Sequence, residues 1–156
     1  MDKEISFQRV DVNNNKFIDL IANWYLNEWS IPIEKTYQRL TNTPNDDVIF
    51  QLILLKDEEP VATGGLYNKV GLLKVYPKFK KFRPWVALLY TNQKYRNQGF
   101  ANILLKKIEA SAKDIGLSSI YVHTFSAERL YIKNGWEPFD KVPYKGKITV
   151  VMKKLL

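Results

Sequence analysis

Apolar residues recur along this chain with two spacings, and the switches between them mark the elements. "ISFQRV", from Ile5, alternates and predicts a first strand. "KFIDLIANWYLNEW" sets Phe17, Ile21, Trp24 and Tyr25 at helical spacing, with Ile18 and Leu20 beside them, and predicts an amphipathic helix. In "SIPIEKTYQRL", Ser30 is placed to cap a second, short helix with Pro32 just inside it, and "NTPND" (42–46) then breaks the chain. Two strand-like runs flank the charged stretch 56–60, which predicts a hairpin.

"GLLKVYPKFKKFRP" fits neither period and is expected to be irregular. "WVALLYT", beginning at Trp85, is a nearly continuous apolar run of strand length, as a strand buried on both faces requires. After Gly99, residues Ala101, Leu104, Leu105, Ile108, Ala112 and Ile115 form one helical stripe, ended by Gly116 as a left-handed cap. "SSIYVHT" is another strand; Ser126 is placed to cap the helix "AERLYIKN", Gly135 stops it, and "KITVVMKKL" is a terminal strand. Strand, helix, strand, helix in succession implies helical crossovers and a partly parallel sheet, hence an α/β (α+β) architecture.

A chain of 156 residues with 46% hydrophobic and 13% aromatic side chains can fill one core, so a single domain spanning 1–156 is expected. It has no cysteine, which excludes disulfides, thiolate metal sites and a cysteine nucleophile, and its one histidine is too few for a histidine-based metal site. No metal is expected. "MDKEISFQRV" lacks the apolar core of a signal peptide, and no run approaches the roughly 20 apolar residues that span a bilayer. These features point to the cytoplasm and away from a membrane. Lys and Arg number 24 against 16 Asp and Glu, a formal charge of +8, which favours a partner with negative charge: a phosphorylated ligand, an acidic surface or nucleic acid.

Charge alone does not choose among these; "RNQGFA" narrows the choice. The opening amides of a helix have no partner inside it, and the helix dipole is positive there. Backbone groups of Gln98, Gly99, Phe100, Ala101 and Asn102, helped by Arg96 and Asn97, are therefore placed to bind a pyrophosphate, with Gly99 allowing close approach.

"LYTNQKYRNQGFANILL" resembles the acetyl-CoA-binding signature of the GNAT superfamily of N-acetyltransferases: Arg or Gln, two residues, Gly, one residue, Gly or Ala, after a central strand. Arg96, Gly99 and Ala101 fill those positions. "AERLYIKNGWEPF" is similar to a second block of the family through Ala127, Leu130, Tyr131, Lys133, Gly135 and Trp136, while Thr124 stands where many relatives have asparagine. The resemblance runs from about Pro84 to the C-terminus. It implies a mixed central sheet flanked by helices, whose central parallel strands, around Leu89 and Val122, splay apart. The pantetheine arm of acetyl-CoA would enter that gap and bond to the backbone of Leu89, Tyr90 and Thr91, where an amide would polarise the thioester carbonyl.

Taken alone Tyr131 reads as a core aromatic beside Leu130 and Ile132; the resemblance makes it the expected general acid. The departing CoA thiolate needs a proton, and a phenol with an ordinary pKa near 10 keeps its own at neutral pH. Glu28, in "LNEWS", is the candidate base that takes a proton from the attacking amine; His123 is the alternative but is read as structural. Trp29 and Trp85 are candidate contacts to the acceptor. Lys78, Lys80, Lys81 and Arg83 interleave with Phe79, Phe82 and Trp85, a pattern that suits single-stranded nucleic acid, a solvated loop or an acidic acceptor. The expectation is an N-acetyltransferase moving acetyl from acetyl-CoA directly to an amine of a small molecule or peptide, with a homodimer as one arrangement. Its competitor is a non-catalytic domain of the same fold or a basic nucleic-acid binder.

Overall fold

A computed structural model describes residues 4–42 and 47–156. The break expected at 42–46 lies outside them except for Asn42.

The first strand, β1 (Ile5–Arg9), leads to helices α1 (Asn15–Trp29) and α2 (Ile33–Thr41). Ser30 does not cap α2 but ends α1: it is left-handed at φ 56°, its N–H bonds back to the Leu26 carbonyl at 2.9 Å, and Pro32 takes the capping position of α2 with no side-chain cap. Schellman-type closure satisfies the last carbonyls of α1, so the chain needs a left-handed residue there before it needs a serine oxygen.

The expected hairpin is present as β2 (Val48–Lys56) and β3 (Glu59–Tyr67), with Asp57 and Glu58 both at positive φ in the turn. A twisted two-residue connection demands that geometry. The stretch expected to be irregular contains a single helical turn, α3 (Leu72–Val75), and a 3-10 turn at Pro77–Phe79. Of its rings Phe79 is buried and Phe82 half-buried, 5.1 Å from Tyr121, and Lys78 pairs with Asp140 at 3.2 Å. Buried rings cannot stack on bases, so Phe79 and Trp85 are withdrawn from the arrangement that a nucleic-acid reading needs.

Next come β4 (Trp85–Thr91), α4 (Phe100–Asp114), β5 (Ser119–Thr124), α5 (Glu128–Lys133), β6 (Glu137–Tyr144) and β7 (Lys147–Leu155). The stripe of α4 is buried at Leu104, Leu105, Ile108 and Ala112, but Ile115 is 47% exposed because the helix has ended at Asp114. Ser126 caps nothing; Thr124 Oγ1 accepts the Ala127 N–H at 3.0 Å instead. β6 has no counterpart in the sequence expectations. Pro138 and Pro143 obscure it, and both are tolerated because β6 is an edge strand that need not donate on its outer side.

The seven strands form one mixed sheet in the order β1-β2-β3-β4-β5-β7-β6, with only β4 and β5 parallel. One face packs on α4 and α5 through a large cluster that includes Leu52, Leu54, Val86, Ile120, Val122 and Met152. On the other face, α1 and α2 cover Ile53 and Tyr90, whereas α3 and the following turn cover Trp85, Tyr121 and Val151. That second face is thus roofed by two separate groups, one over each half of the sheet.

Candidate functional site

β4 and β5 share a single register pair, Trp85 opposite Tyr121, supported by the Tyr121 N–H on the Pro84 carbonyl at 3.0 Å. Beyond it the two strands part. β4 also bulges there: its register with β3 shifts between Thr63 and Gly65, and Leu88 sits at φ 56°. As a result Leu88 and Tyr90 both pack toward α1, while Leu89 joins the α4 cluster, and Leu88 and Leu89 drop out of the β3–β4 register.

A buried polar network fixes the bulge. The Tyr25 hydroxyl donates to the Leu88 carbonyl at 2.7 Å and accepts from Gln51 Nε2 at 3.0 Å. Gln51 also donates to Thr63 Oγ1 at 2.8 Å and accepts from the Tyr67 hydroxyl at 2.7 Å. Every member has partners, so the network is rigid rather than a defect. Glycine is required beside it: a Cβ on Gly65 would stand 2.7 Å from Gln51 Oε1 and 2.8 Å from the Phe50 carbonyl. Burial first, and the neighbouring Tyr67 second, push the Tyr25 pKa well above its ordinary value, so its hydroxyl is a permanent donor.

The front of α4 follows β4 through the loop that holds Arg96, Asn97, Gln98 and Gly99. Asn97 and Gly99 are left-handed, at φ 64° and 85°, and a Cβ on Gly99 would meet nothing within 4 Å. The first turn of α4 has neither an acidic residue nor a side-chain cap, so the amides of Phe100, Ala101 and Asn102 face outward at the positive end of the helix dipole. The Phe100 ring turns inward against Tyr95, 6.1 Å between centroids. Asn102 Oδ1 accepts from Asn134 Nδ2 at 2.7 Å, which docks α5 against this helix end.

Arg96 differs from the sequence expectation of a guanidinium reaching toward the helix end. Its Nε donates to the Thr91 carbonyl at 2.9 Å, its Nη2 pairs with Glu28 Oε2 at 3.2 Å, and it lies 5.4 Å over the Tyr90 ring. Two residues read as serving opposite sides of the site therefore hold each other. Trp29, 36% exposed, stands edge-on to Tyr90 at 6.0 Å and lines the same rim. Trp85 does not: it is 0% exposed and donates its indole N–H to the Phe82 carbonyl at 2.6 Å, so it is a core residue with no surface for an acceptor.

Tyr131, on α5, is 3% exposed and packs edge-on against Trp136 at 5.2 Å. Trp136 is held in turn by Glu109, 3.0 Å from its indole nitrogen, and Glu109 pairs with Lys154 at 3.4 Å. Burial, with a smaller push from Glu109, raises the Tyr131 pKa, so the phenol stays protonated throughout the physiological range. Among the described residues the buried side-chain polar atom without a partner is Thr36 Oγ1. His123 lies on β5 between the Trp85 and Tyr144 rings, and burial, then Lys145, lower its pKa to about 4.

Sequence reasoning missed Tyr25, Gln51, Thr63 and Asn134. Gln51 did leave a signal, a lone amide in the apolar run "VIFQLILL". Among the described residues no cluster of His, Cys, Asp and Glu could hold a metal ion, and no helix is long and apolar enough to cross a membrane. Two shallow depressions, around Gly135 with Lys153 and around Lys113 with Leu156, lie off the parting and contain none of its residues.

The family model described as acetyltransferase (GNAT) family matches residues 15–136. No curated protein matches in sequence. Among solved structures, the fold is shared with an uncharacterised protein from Bacillus halodurans (TM-score 0.71, 22% identity, 98% of this chain and 84% of that one). It is shared equally with an aminoglycoside 6'-N-acetyltransferase from Enterococcus faecium (0.72, 15%, 96% of each chain) and with an aminoglycoside 6'-N-acetyltransferase complexed with coenzyme A (0.73, 14%, 96% of each). With the match extending across both signature blocks, from α1 to Trp136, the chain belongs to the acetyltransferase (GNAT) family.

Proposed function

We propose that this chain is an acetyl-CoA-dependent N-acetyltransferase that moves acetyl directly onto a primary amine in the cytoplasm. One observation carries the reading: the sheet parts at β4 and β5 directly beside an uncapped helix end. The outward amides of Phe100, Ala101 and Asn102 suit a pyrophosphate, and the open space at Gly99 leaves room for it. The edge of β4 at Leu89, Tyr90 and Thr91, beyond its one register pair with β5, suits the amides of a pantetheine arm laid in the gap. Arg96 and Asn97 shape the loop; the Arg96 guanidinium, already held by Glu28 and the Thr91 carbonyl, positions the loop and leaves phosphate binding to the backbone.

The amine attacks the thioester carbonyl, a backbone N–H of the bulge stabilises the oxyanion, and the intermediate collapses with loss of the CoA thiolate. Tyr131 gives that thiolate its proton. Its raised pKa makes it a weaker acid than in water, but a thiolate forming in the same dry cleft is a correspondingly stronger base. The amine loses its own proton toward Glu28, whose Oε1 is not engaged by Arg96, through water. Trp29 and Tyr90 wall the acceptor side.

Calorimetry tests the cofactor half of this reading. Acetyl-CoA is expected to bind, and 4'-phosphopantetheine, lacking the pyrophosphate and nucleotide, to bind much more weakly. Tyr131→Phe should lower kcat by about 100-fold or more while leaving acetyl-CoA affinity unchanged. Equal affinity for the two ligands would remove the helix end from the site, and unchanged turnover in Tyr131→Phe would remove the acid.

A further inference from the structure

α5 is only six residues long, Glu128–Lys133, and a helix that short has little stability of its own. The placement of Tyr131 is therefore set by what holds its neighbours. The Tyr131 carbonyl accepts N–H bonds from Asn134 and from Trp136, each at 3.0 Å, and Gly135 between them is left-handed at φ 85°. The Trp136 ring also packs edge-on against the Tyr131 ring at 5.2 Å. Trp136 thus holds Tyr131 by backbone and by ring.

What holds Trp136 comes from two other elements. Its indole N–H donates to Glu109 Oε2 on α4 at 3.0 Å, while Glu109 Oε1 pairs with Lys154 Nζ on β7 at 3.4 Å. The same Nζ donates to the Asn134 carbonyl at the end of α5, and a Cβ on Gly135 would stand 3.2 Å from it. Asn134 in turn donates its side-chain N–H to Asn102 Oδ1, on the first turn of α4, at 2.7 Å. So α4, α5 and β7 are tied together next to Tyr131.

Stability alone does not account for this arrangement. The Lys154 and Glu109 side chains are 22% and 14% exposed, and an ion pair withdrawn that far from water loses hydration that its attraction offsets only in part. Apolar side chains of similar volume would often serve stability as well. They would not fix the rotation of the indole, whose N–H points in one direction and is met there by Glu109. A general acid needs such placement, because its proton is delivered across a hydrogen-bond distance and a small displacement of the hydroxyl slows the transfer.

We propose that Glu109 is a positioning residue for acetyl transfer: anchored by Lys154, it fixes the Trp136 indole and, through it, the Tyr131 hydroxyl that protonates the CoA thiolate. This rests on the transferase reading above and deepens it. In the step it serves, the Tyr131 O–H bond breaks as the S–H bond of CoA forms, and the phenolate then takes a proton back from water. Glu109 itself gives up no proton and touches neither acetyl-CoA nor the amine.

The test is a double-mutant cycle on kcat read by release of CoA thiol, with acetyl-CoA affinity measured by calorimetry and folding by chemical denaturation. The amine is whichever of glycinamide, spermidine and kanamycin the parent acetylates fastest; hydrolysis of acetyl-CoA, which needs the same thiolate proton, is followed beside it. Glu109→Ala is expected to lower kcat about 10-fold while acetyl-CoA affinity and the KM of the amine stay within about 2-fold. Glu109→Gln keeps an oxygen for the indole N–H and should recover most of that loss. In a Tyr131→Phe background no hydroxyl is left to position, so Glu109→Ala should change kcat by less than about 2-fold. Equal fractional losses in both backgrounds, equal losses in the Ala and Gln variants, or full kcat in Glu109→Ala would each overturn the inference. Should Glu109→Ala not fold, Trp136→Phe enters the same cycle with the same outcomes, because it keeps a ring beside Tyr131 and removes the N–H that Glu109 holds. If Tyr131→Phe is slow and Glu109→Ala is not, the positioning role falls and the transferase reading stands; if the parent releases no thiol with any of these partners, both fall.

Discussion

His123 is a residue whose charge is set by burial rather than by a partner. Enclosed by the Trp85 and Tyr144 rings, with Lys145 adding repulsion, its pKa is lowered from 6.5 to about 4. In the unfolded chain the ring takes its proton near pH 6.5. A folded pKa below the unfolded one means the unfolded state binds the proton first, so His123 leaves stability intact above about pH 6.5 and erodes it as pH falls toward 4. At 1.36 kcal/mol per pKa unit the full effect is about 3 kcal/mol. Denaturant titrations at pH 7 and 4.5 should show His123→Gln keeping about 2 kcal/mol more of its neutral-pH stability than the parent does. If parent and variant lose equal amounts, the ring is not held neutral by its surroundings. At neutral pH the same ring is uncharged, and a pKa lowered to about 4 makes it a weak base toward an alkylammonium.

At the scale of elements, the bulge in β4 depends on a side chain from another element. Tyr25, on α1, ties Leu88 to the Gln51 network, so α1 sets the path of the strand that lines the parting. Tyr25→Phe removes one hydroxyl and strands two buried partners, the Leu88 carbonyl and a Gln51 N–H. The expected loss is about 2 kcal/mol of stability, measurable by chemical denaturation, because each orphaned group keeps its desolvation penalty. If the bulge orients the oxyanion amide, kcat should fall further than KM rises; a stability loss with unchanged kcat would mean that the strand keeps its path without the tether. This coupling was not legible in the sequence, because Tyr25 fits the apolar stripe of α1 as well as any aromatic would. Strongly periodic elements were legible: α1, the β2–β3 hairpin, β4, α4, β5 and β7 all follow their apolar spacing. What failed was local chemistry with two solutions. Ser30 and Ser126 look like caps, yet backbone closure at one site and Thr124 at the other do the work. β6 hides behind two prolines, and Trp85, grouped with the basic loop by its neighbours in sequence, belongs to the core by its place on β4. The Arg96–Glu28 pair, 68 positions apart, leaves no mark in either local pattern.

At the scale of the molecule, the sheet is two halves joined at one strand pair and underpinned by α4. Trp85 opposite Tyr121 is the only β4–β5 register contact, while Leu104, Leu105 and Ile108 pack beneath strands of both halves. A parallel pair that separates after one contact leaves backbone N–H and C=O groups along both strands facing a gap, and such groups need a partner from solvent or ligand. An extended ligand in that gap would complete the ladder between the halves. Acetyl-CoA at about 100 times its Kd is therefore expected to add roughly 2.7 kcal/mol to global stability. Hydrogen exchange locates where that gain arises. Gap-facing amides within 88–91 and 122–124 should slow by more than the global gain accounts for, whereas amides paired between β1 and β2 should follow the global change alone. Slowing confined to the front of α4, with the parted strands untouched, would mean that the ligand rests on the helix end without entering the sheet.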